Sequence, residues 1–345
     1  MSLLKRLSAR LQNHPKRLIY AEGADPRVLQ AARQFATRKL GVPFLVGDRE
    51  EIQDVAKSLD VRLDGMKIIQ PDLSDDFEDI AKIFHGMPKF RSYEYADARE
   101  LLKKPGYYST MMLMTGRADA EVIGATIASS SSLRQIFQIV PLQKNIKTAS
   151  SMLVLASDSD SLGIDGDLFM ADCGVIPNPT EEQLADIAVT TAKLVNHLTL
   201  ERPRVAMLSY CTKLAATKDP NVLKMKSATA LAHEKAKEQS LDIDIDGELQ
   251  VDAALCPAVA QLKGINSSVA GRANILVFPD LESGNTAYKL VHITSGLKCY
   301  GQIMTGLTKP VAEISRGASV DDIFGTSVIV AAQSVDRKFY SFEEQ

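Results

Sequence analysis

"RLIYAEGADPRVLQAARQFATRKLGVPFLVGD", residues 17–48, carries the pattern that decides the fold class. Its first seven residues are largely apolar and end in a glycine, which predicts a buried strand followed by a turn. Asp25 and Pro26 then stand where an N-cap and a first helical residue are favoured, ahead of a helical pattern. A second apolar run, VPFLVGD at 42–48, predicts another strand. Strand, helix and strand in this order indicate a parallel α/β sheet.

Later stretches continue the alternation of apolar strands and amphipathic helices. In PNPTEEQLADIAVTTAKLVNHL, Thr180 and Gln183 have the spacing of a capping box at a helix start. RVAMLSY at 204–210 and NILVFPDL at 274–281 are predicted strands with polar residues near their carboxyl ends, the edge where open α/β sheets bind ligands. MMLMTG at 111–116 is interpreted as packing in a strand and turn.

Length and composition are those of an ordinary globular protein. The chain has 345 residues, of which 45% are hydrophobic and 24% charged, and about two domains are expected at this length. The formal net charge is −3, without a long run of either sign, so neither a nucleic acid nor a membrane is expected as a partner. A small anionic ligand stays open, since a local basic pocket need not appear in the net charge.

The cysteines and the N-terminus bear on location and metal binding. Four cysteines stand far apart, without a CxxC pair or a suitably spaced histidine, at positions 173, 211, 256 and 299. This spacing argues against a zinc site and a disulfide framework and favours a reducing cytoplasm. The basic, amphipathic segment 1–17 is interpreted as a first helix packing on the domain, with a mitochondrial transit peptide as the alternative. Apolar runs are too short to span a bilayer.

Several common catalytic signatures are missing from the sequence. It contains no P-loop, no GxGxxG fingerprint and no GxSxG elbow, and HEKAK at His233 lacks the second histidine of HExxH. What remains are polar loops that follow apolar strands: EGADPR (22–27), SYCTK (209–213), DGELQVDAA (246–254), FPDLESGNTAYK (278–289) and ISRGASVDD (314–322).

These loops, in this order, resemble a known family. The likeness runs from about residue 18 to residue 333 and includes EGADPRVLQAA (22–32), SSSSLRQIFQIV (129–140), ADCGVIPNPTEEQLADIA (171–188), GLTKPVAEISRG (306–317) and SVDDI (319–323). On these motifs the chain resembles the phosphate acyltransferases, the phosphate acetyl/butyryltransferase family, and most of all its phosphate acetyltransferase (phosphotransacetylase) members.

The resemblance implies a fold and a reaction. The fold would be two α/β domains, residues 1–148 plus 302–345 and residues 149–301, with the active site in a cleft between them and an architecture like isocitrate and isopropylmalate dehydrogenases. The reaction would convert acetyl-CoA and phosphate into acetyl phosphate and coenzyme A. Coenzyme A would be a substrate, and neither a metal nor another cofactor is expected. A cytoplasmic homodimer is the expected state.

The resemblance also assigns catalytic roles within ISRGASVDD. Asp322 would be the general base that takes the thiol proton of coenzyme A, which is mostly protonated at neutral pH. Ser315 would donate a hydrogen bond to the developing oxyanion, and Arg316 would hold phosphate, whose geometry suits a guanidinium.

Three further residues are expected to bind phosphate or coenzyme A. Arg134, in SSSSLRQIF, matches a second family arginine at the phosphate end of the site, where nearby serines and a helix start would add donors. Arg91, in PKFRSYEY, matches an arginine that contacts coenzyme A. Lys289 ends the loop motif FPDLESGNTAYK and is expected to line the site.

The same residues also permit purely structural roles. Two acids at positions 321 and 322 are typical of a helix start, for which Ser319 would be the N-cap. Arg316 could instead pair with Glu313 or Asp321 on the surface. Without the resemblance, Arg134 would be read as an ordinary surface residue of a helix.

Two departures from the family pattern leave the acyl group open. CTKLAA at 211–216 stands where family members have STKGSA, and GQIM at 301–304 stands where they have GPIL. If the first loop lines the site, Leu214 and Ala215 make it less polar, so a propionyl or butyryl group is an alternative to acetyl. A non-catalytic acyl-CoA-sensing module, like the related domain of some malic enzymes, and a decarboxylating dehydrogenase are the alternatives from other classes.

Overall fold

The computed structural model describes residues 2–157, 162–214 and 216–335. Ala215, one of the two changes in CTKLAA, lies outside the described residues. The strands are β1 Lys16–Tyr20, β2 Gly41–Val46, β3 Lys67–Ile69, β4 Ala120–Ile123, β5 Ser150–Ala156, β6 Asp167–Ala171, β7 Arg204–Leu208, β8 Asp244–Leu249, β9 Ile275–Val277, β10 Lys298–Thr305 and β11 Val311–Glu313. The helices are α1 Leu3–Asn13, α2 Pro26–Thr37, α3 Arg49–Ser58, α4 Phe77–Gly86, α5 Tyr95–Leu102, α6 Pro105–Met114, α7 Ser129–Ile139, α8 Glu181–Thr199, α9 Pro220–Glu238, α10 Val251–Leu255, α11 Pro257–Leu262, α12 Leu281–Ser295 and α13 Val320–Gln333, with a short 3-10 helix at Pro71–Leu73.

The chain divides into two compact units. The terminal unit comprises the described residues from Leu4 to Gln143 and from Leu307 onward, and the central unit comprises Lys144 to Gly306 with the residues before Leu4. The terminal unit is therefore assembled from both ends of the sequence. The domain limits expected from the resemblance, 1–148 plus 302–345 and 149–301, stay a prediction.

The sheet of the terminal unit has the order β3-β2-β1-β4-β11, and each of its neighbouring pairs is parallel. The predicted unit of strand, helix and strand is confirmed as β1, α2 and β2. Asp25 caps α2, since its Oδ1 accepts hydrogen bonds from the backbone N–H groups of Arg27 at 2.8 Å and Val28 at 3.2 Å. Pro26 is the first helical residue, where its missing N–H costs nothing.

A large apolar core in the terminal unit joins the sheet to α4, α5 and α6. It includes Ile19 and Phe44 from the strands and Phe84 and Tyr108 from the helices. In the interpretation of MMLMTG as a strand and turn, the strand is wrong, because Met112 lies in α6, whereas the turn is present at Gly116, whose φ is +75°. Since α6 is buried nearly all round, its apolar residues form a continuous run that resembles a buried strand.

The sheet of the central unit has the order β10-β5-β6-β9-β7-β8. β5 is antiparallel to β10 and β6, whereas β6, β9, β7 and β8 are mutually parallel. The capping box predicted at the start of α8 is confirmed: Gln183 N donates to Thr180 Oγ1 at 3.3 Å, and Thr180 N donates to Gln183 Oε1 at 2.9 Å.

The basic N-terminal segment forms α1 and buries Leu7 and Leu11, as the packing interpretation predicts. Within the described ranges, none of the helices combines the length and the apolar character needed to cross a membrane.

Candidate active site

The candidate site in the terminal unit is built at the carboxyl ends of three neighbouring parallel strands. β4 lies between β1 and β11 in the sheet, so all three strands end at the same edge. The loops that follow them begin at Ala21, Gly124 and Ile314 and lead into α2, α7 and α13. This is the edge at which open parallel sheets place their ligands.

Asp322 lies at the start of α13 and serves the helix directly. Its Oδ2 accepts hydrogen bonds from Ser319 N at 2.9 Å and Ser319 Oγ at 2.7 Å, while its own N–H donates back to Ser319 Oγ at 3.1 Å. Asp322 therefore does have the structural role at a helix start, with Ser319 as the N-cap, that the sequence permitted. The Oδ1 atom receives no hydrogen bond from the described part of the chain. One carboxylate oxygen caps the helix, and the other is left to accept a proton.

Ser315 and Arg316 occupy the turn between β11 and α13. Ser315 is half-buried, and its Oγ accepts the backbone N–H of Gly317 at 3.3 Å. The Arg316 side chain is exposed, and its guanidinium makes no ion pair with any described residue. Glu313, one of its proposed partners, is instead buried and accepts a hydrogen bond from Ser132 Oγ at 3.2 Å. The predicted surface pairing of Arg316 with Glu313 or Asp321 therefore does not form within this part of the chain.

Arg27, which sequence reasoning missed, connects the three loops. Its guanidinium donates to the carbonyl oxygens of Arg316 at 2.5 Å, Ala318 at 3.1 Å and Ala125 at 2.8 Å. It also forms an ion pair with Asp25 at 2.8 Å, and this hydrogen-bonded carboxylate raises the pKa of Arg27. The main chain that carries Arg316 is thus tied to the other two loops. Only the adjacency of β1, β4 and β11 reveals this role.

Glu22 and Gly124 hold the middle loop in place. Gly124 N donates to both carboxylate oxygens of Glu22, at 2.9 and 3.2 Å, and burial raises the pKa of Glu22 against the opposing effect of its backbone donors. Gly124 has φ +111°, and a Cβ there would lie 2.6 Å from the carbonyl oxygen of Ile314. A glycine is required because the backbone is left-handed and approaches the β11 loop closely.

Arg134 and Arg91 also lie in the terminal unit, outside these three loops. Arg134 is on the second turn of α7, whose first turn exposes Ser129 and Ser130. Arg91 lies in the turn after α4, where its N–H donates to Met87 O at 3.0 Å. Both side chains are exposed, and neither guanidinium has a partner among the described residues. Positively charged groups without an intramolecular partner suit an anionic ligand.

Lys289 lies in the central unit, on α12, and the other five predicted site residues lie in the terminal unit. Its ammonium group is exposed and stands 5.1 Å from the centroid of the Tyr288 ring.

The two departures from the family pattern lie in the central unit and differ in kind. Gln302 is buried: its Nε2 donates to Cys173 O at 3.0 Å, and its Oε1 accepts from Ser151 Oγ. Leu214 is 41% exposed, and its N–H donates to Glu248 Oε1 at 2.7 Å. Gln302 thus holds the loop after β6, whereas Leu214 presents an apolar side chain beyond the carboxyl end of β7.

In the described ranges, histidine, cysteine, aspartate and glutamate form no group of three or more that could hold a metal ion.

Comparison with known proteins assigns a family and a fold. A model of the family described as Phosphate acetyl/butaryl transferase matches residues 2–331. A phosphate acetyltransferase from Acetivibrio thermocellus is 38% identical over 334 residues, which cover 97% of this chain and 98% of that protein. Both matches span nearly the whole chain.

Solved structures extend the likeness. A phosphotransacetylase from Streptococcus pyogenes superposes with a TM-score of 0.86 at 33% identity and covers 97% of this chain and 99% of that one. A Salmonella typhimurium chain described as a 4-hydroxythreonine-4-phosphate dehydrogenase gives a TM-score of 0.52 at 12% identity, with coverage of 93% and 99%. The second likeness is one of fold alone, and together they confirm the predicted α/β class and its dehydrogenase-like architecture.

Proposed function

Since the chain belongs to the phosphate acetyl/butaryl transferase family, as the motifs of its sequence predicted, we propose that it interconverts acetyl-CoA plus phosphate and acetyl phosphate plus coenzyme A. The names of several relatives support acetyl as the group transferred, including those from Acetivibrio thermocellus, Treponema pallidum and Clostridium acetobutylicum.

One observation carries the assignment of roles. The main chain around Arg316 is held by Arg27, while the Arg316 guanidinium and Asp322 Oδ1 both lack partners in the described part of the chain. A rigid backbone with unsatisfied charged groups is suited to a charged substrate, because little reorganisation is then needed on binding.

The proposed mechanism is direct attack. In the direction of acetyl-CoA synthesis, Asp322 Oδ1 takes the thiol proton of coenzyme A, and the sulfur attacks the carbonyl carbon of acetyl phosphate. Ser315 Oγ donates a hydrogen bond to the carbonyl oxygen as it becomes negative. The carbon–sulfur bond forms, the bond from carbon to the phosphate oxygen breaks, and phosphate leaves bound to Arg316. Arg134, Arg91 and Lys289 bind the anionic groups of the substrates.

The proposal includes the state of the enzyme. Coenzyme A is consumed as a substrate, and the scheme requires neither a metal ion nor another cofactor. A cytoplasmic homodimer remains our expectation from the family. Propionyl and butyryl groups are the alternative substrates: if the CTKLAA loop lines the site, the exposed Leu214 would offer a larger acyl chain apolar contact.

The test is the phosphate-dependent release of free thiol from acetyl-, propionyl- and butyryl-CoA by the purified protein, with a chelator present. We expect release from at least one donor, fastest with acetyl-CoA, and none when phosphate is omitted. A clear preference for propionyl- or butyryl-CoA would move the assignment to that acyl group. Tight binding of all three donors without thiol release would instead identify an acyl-CoA-sensing module.

A further inference from the structure

Two exposed aromatic rings lie beside the unpartnered arginines of the terminal unit. Tyr93 is 46% exposed and stands two residues after Arg91 in the turn that follows α4. Phe137 is 36% exposed and stands three residues after Arg134 on α7, which puts both on one face of that helix. We call these four side chains the Tyr93–Phe137 surface. The catalytic scheme uses neither ring.

Contacts beneath this surface hold its two halves together. The Tyr93 ring lies 6.1 Å from the ring of Phe90, which meets the Tyr107 ring edge-on at 6.1 Å. Tyr107 in turn donates its hydroxyl to Gln138 Oε1 at 3.1 Å, and Gln138 stands one helical turn after Arg134. The turn after α4 is therefore connected to the exposed face of α7 through packed rings and one hydrogen bond.

Electrostatics agree with this proximity. Burial raises the pKa of Tyr107, Tyr93 raises it further and Arg134 lowers it. Both Tyr93 and Arg134 must lie near the Tyr107 hydroxyl to act on it, because such effects fall with distance. The Tyr93 hydroxyl and the Arg134 guanidinium thus both lie within electrostatic range of the Tyr107 hydroxyl.

The chemistry of the surface selects one kind of ligand. Exposed aromatic rings favour a flat ligand such as a nucleic-acid base, since every base has a π-face on which a ring can stack. Guanidinium groups without partners favour phosphates. The donor substrate of the proposed reaction carries both, as adenine and the phosphates of the adenosine 3′-phosphate 5′-diphosphate end of coenzyme A.

We propose that Tyr93 and Phe137 contact the adenine ring of coenzyme A, beside the anionic groups that the proposed function assigns to Arg134 and Arg91. This inference rests on the proposed function and assigns the binding of the nucleotide end to the Tyr93–Phe137 surface. It separates recognition of the nucleotide from the chemistry at Ser315, Arg316 and Asp322.

The test compares donors with and without the nucleotide. For Tyr93→Ala and Phe137→Ala we expect the KM for acetyl-CoA to rise about tenfold, because loss of stacking on one aromatic ring commonly lowers affinity by about one order of magnitude. The KM for phosphate and the rate with S-acetylpantetheine, which lacks the nucleotide, should change less than twofold. Tyr93→Phe keeps the ring and should behave like the wild type. Leu73→Ala, which removes an exposed apolar side chain outside this surface, is the matched control.

The outcomes distinguish this inference from the proposed function. Thiol release by the wild-type protein with an unchanged KM for acetyl-CoA in both alanine variants would overturn the adenine contact and leave the acyltransferase intact. Equal losses with acetyl-CoA and S-acetylpantetheine would show that the rings act only on the fold. Absence of thiol release from the wild type would count against the proposed function itself.

Discussion

At the scale of the residue, Asp322 combines a structural and a chemical role in one carboxylate. Its Oδ2 completes the capping box with Ser319, and its Oδ1 is left without a partner in the described chain. The two readings of this residue therefore do not exclude each other. They can be separated because each depends on a different atom.

Asp322→Asn should lower turnover by about two to four orders of magnitude, the scale of a lost general base. Stability and affinity for coenzyme A should hardly change, because an asparagine oxygen can still accept the N–H of Ser319. Steady-state kinetics and thermal unfolding of the same preparation measure both effects.

Ser319→Ala is the matched control, since it removes the cap and keeps the carboxylate. It should cost about 1 kcal/mol in the free energy of unfolding and less than a tenfold loss of turnover. If Asp322→Asn retained wild-type turnover, or if both variants lost activity equally, the carboxylate would have no role beyond capping.

At the scale of the element, catalytic geometry depends on three loops that meet at one sheet edge. Arg27 reaches from the β1 loop and donates hydrogen bonds to carbonyl oxygens of the other two loops. The Glu22 carboxylate accepts hydrogen bonds from backbone N–H groups of the β4 loop and so holds that loop. Gly124 permits the close approach of the β4 and β11 loops. Each loop is thus positioned by residues of its neighbours.

Gly124→Ala should lower both stability and turnover, because its Cβ would lie 2.6 Å from the main-chain oxygen of Ile314 and something must shift. We expect a loss of about 1–3 kcal/mol in the free energy of unfolding and more than tenfold in turnover. Chemical denaturation and the thiol-release assay measure the two losses.

Gly65→Ala provides the comparison for backbone strain alone. Gly65 has φ +79°, and its added Cβ would meet nothing within 4 Å. The Gly65→Ala variant should therefore be less stable than the wild type and keep the wild-type turnover. Equal turnover in the two alanine variants would disprove the coupling between the β4 and β11 loops.

At the scale of the whole molecule, the terminal unit contains a buried acid that links its stability to pH. Glu121 on β4 is completely buried; its Oε1 accepts from Ser109 at 2.5 Å and Thr110 at 3.0 Å, and its Oε2 has no partner among the described residues. Burial raises its pKa to about 8, with a smaller contribution from Glu22. Below that pH the folded protein keeps the proton, whereas the unfolded chain releases it above its ordinary pKa of 4.5.

Stability of the wild type should consequently fall as pH rises from about 4.5 to about 8, by at most about 1.4 kcal/mol per pH unit from this one group. Glu121→Gln cannot ionise and should be the more stable protein at pH 8, with little difference near pH 4.5. Denaturant unfolding at several pH values measures the slope. Parallel pH profiles for the two proteins would show that Glu121 does not titrate in this range.

Much of the fold was predictable from local patterns, whereas the contacts that position the site were not. Alternating apolar runs and caps predicted β1, α2, β2 and the start of α8, because such signals lie within a few residues of one another. The buried helix α6 was misread as a strand because its apolar residues are not confined to one helical face and therefore show no helical periodicity. Glu22 and Arg27 stand in the EGADPR loop that the sequence singled out, but their roles gave no local signal, since the main-chain groups they hold are distant in sequence.

The sequence by itself determined three properties: the α/β class, the family and the motif that holds Ser315, Arg316 and Asp322. These properties depend on local propensity and on motifs that lie within one stretch of chain. The tertiary structure alone decided that β4 lies between β1 and β11, and hence that the Arg27 guanidinium holds the main chain of Arg316. The physical reason is that this contact joins residues nearly three hundred positions apart, which meet only when parallel strands pair and end at one edge.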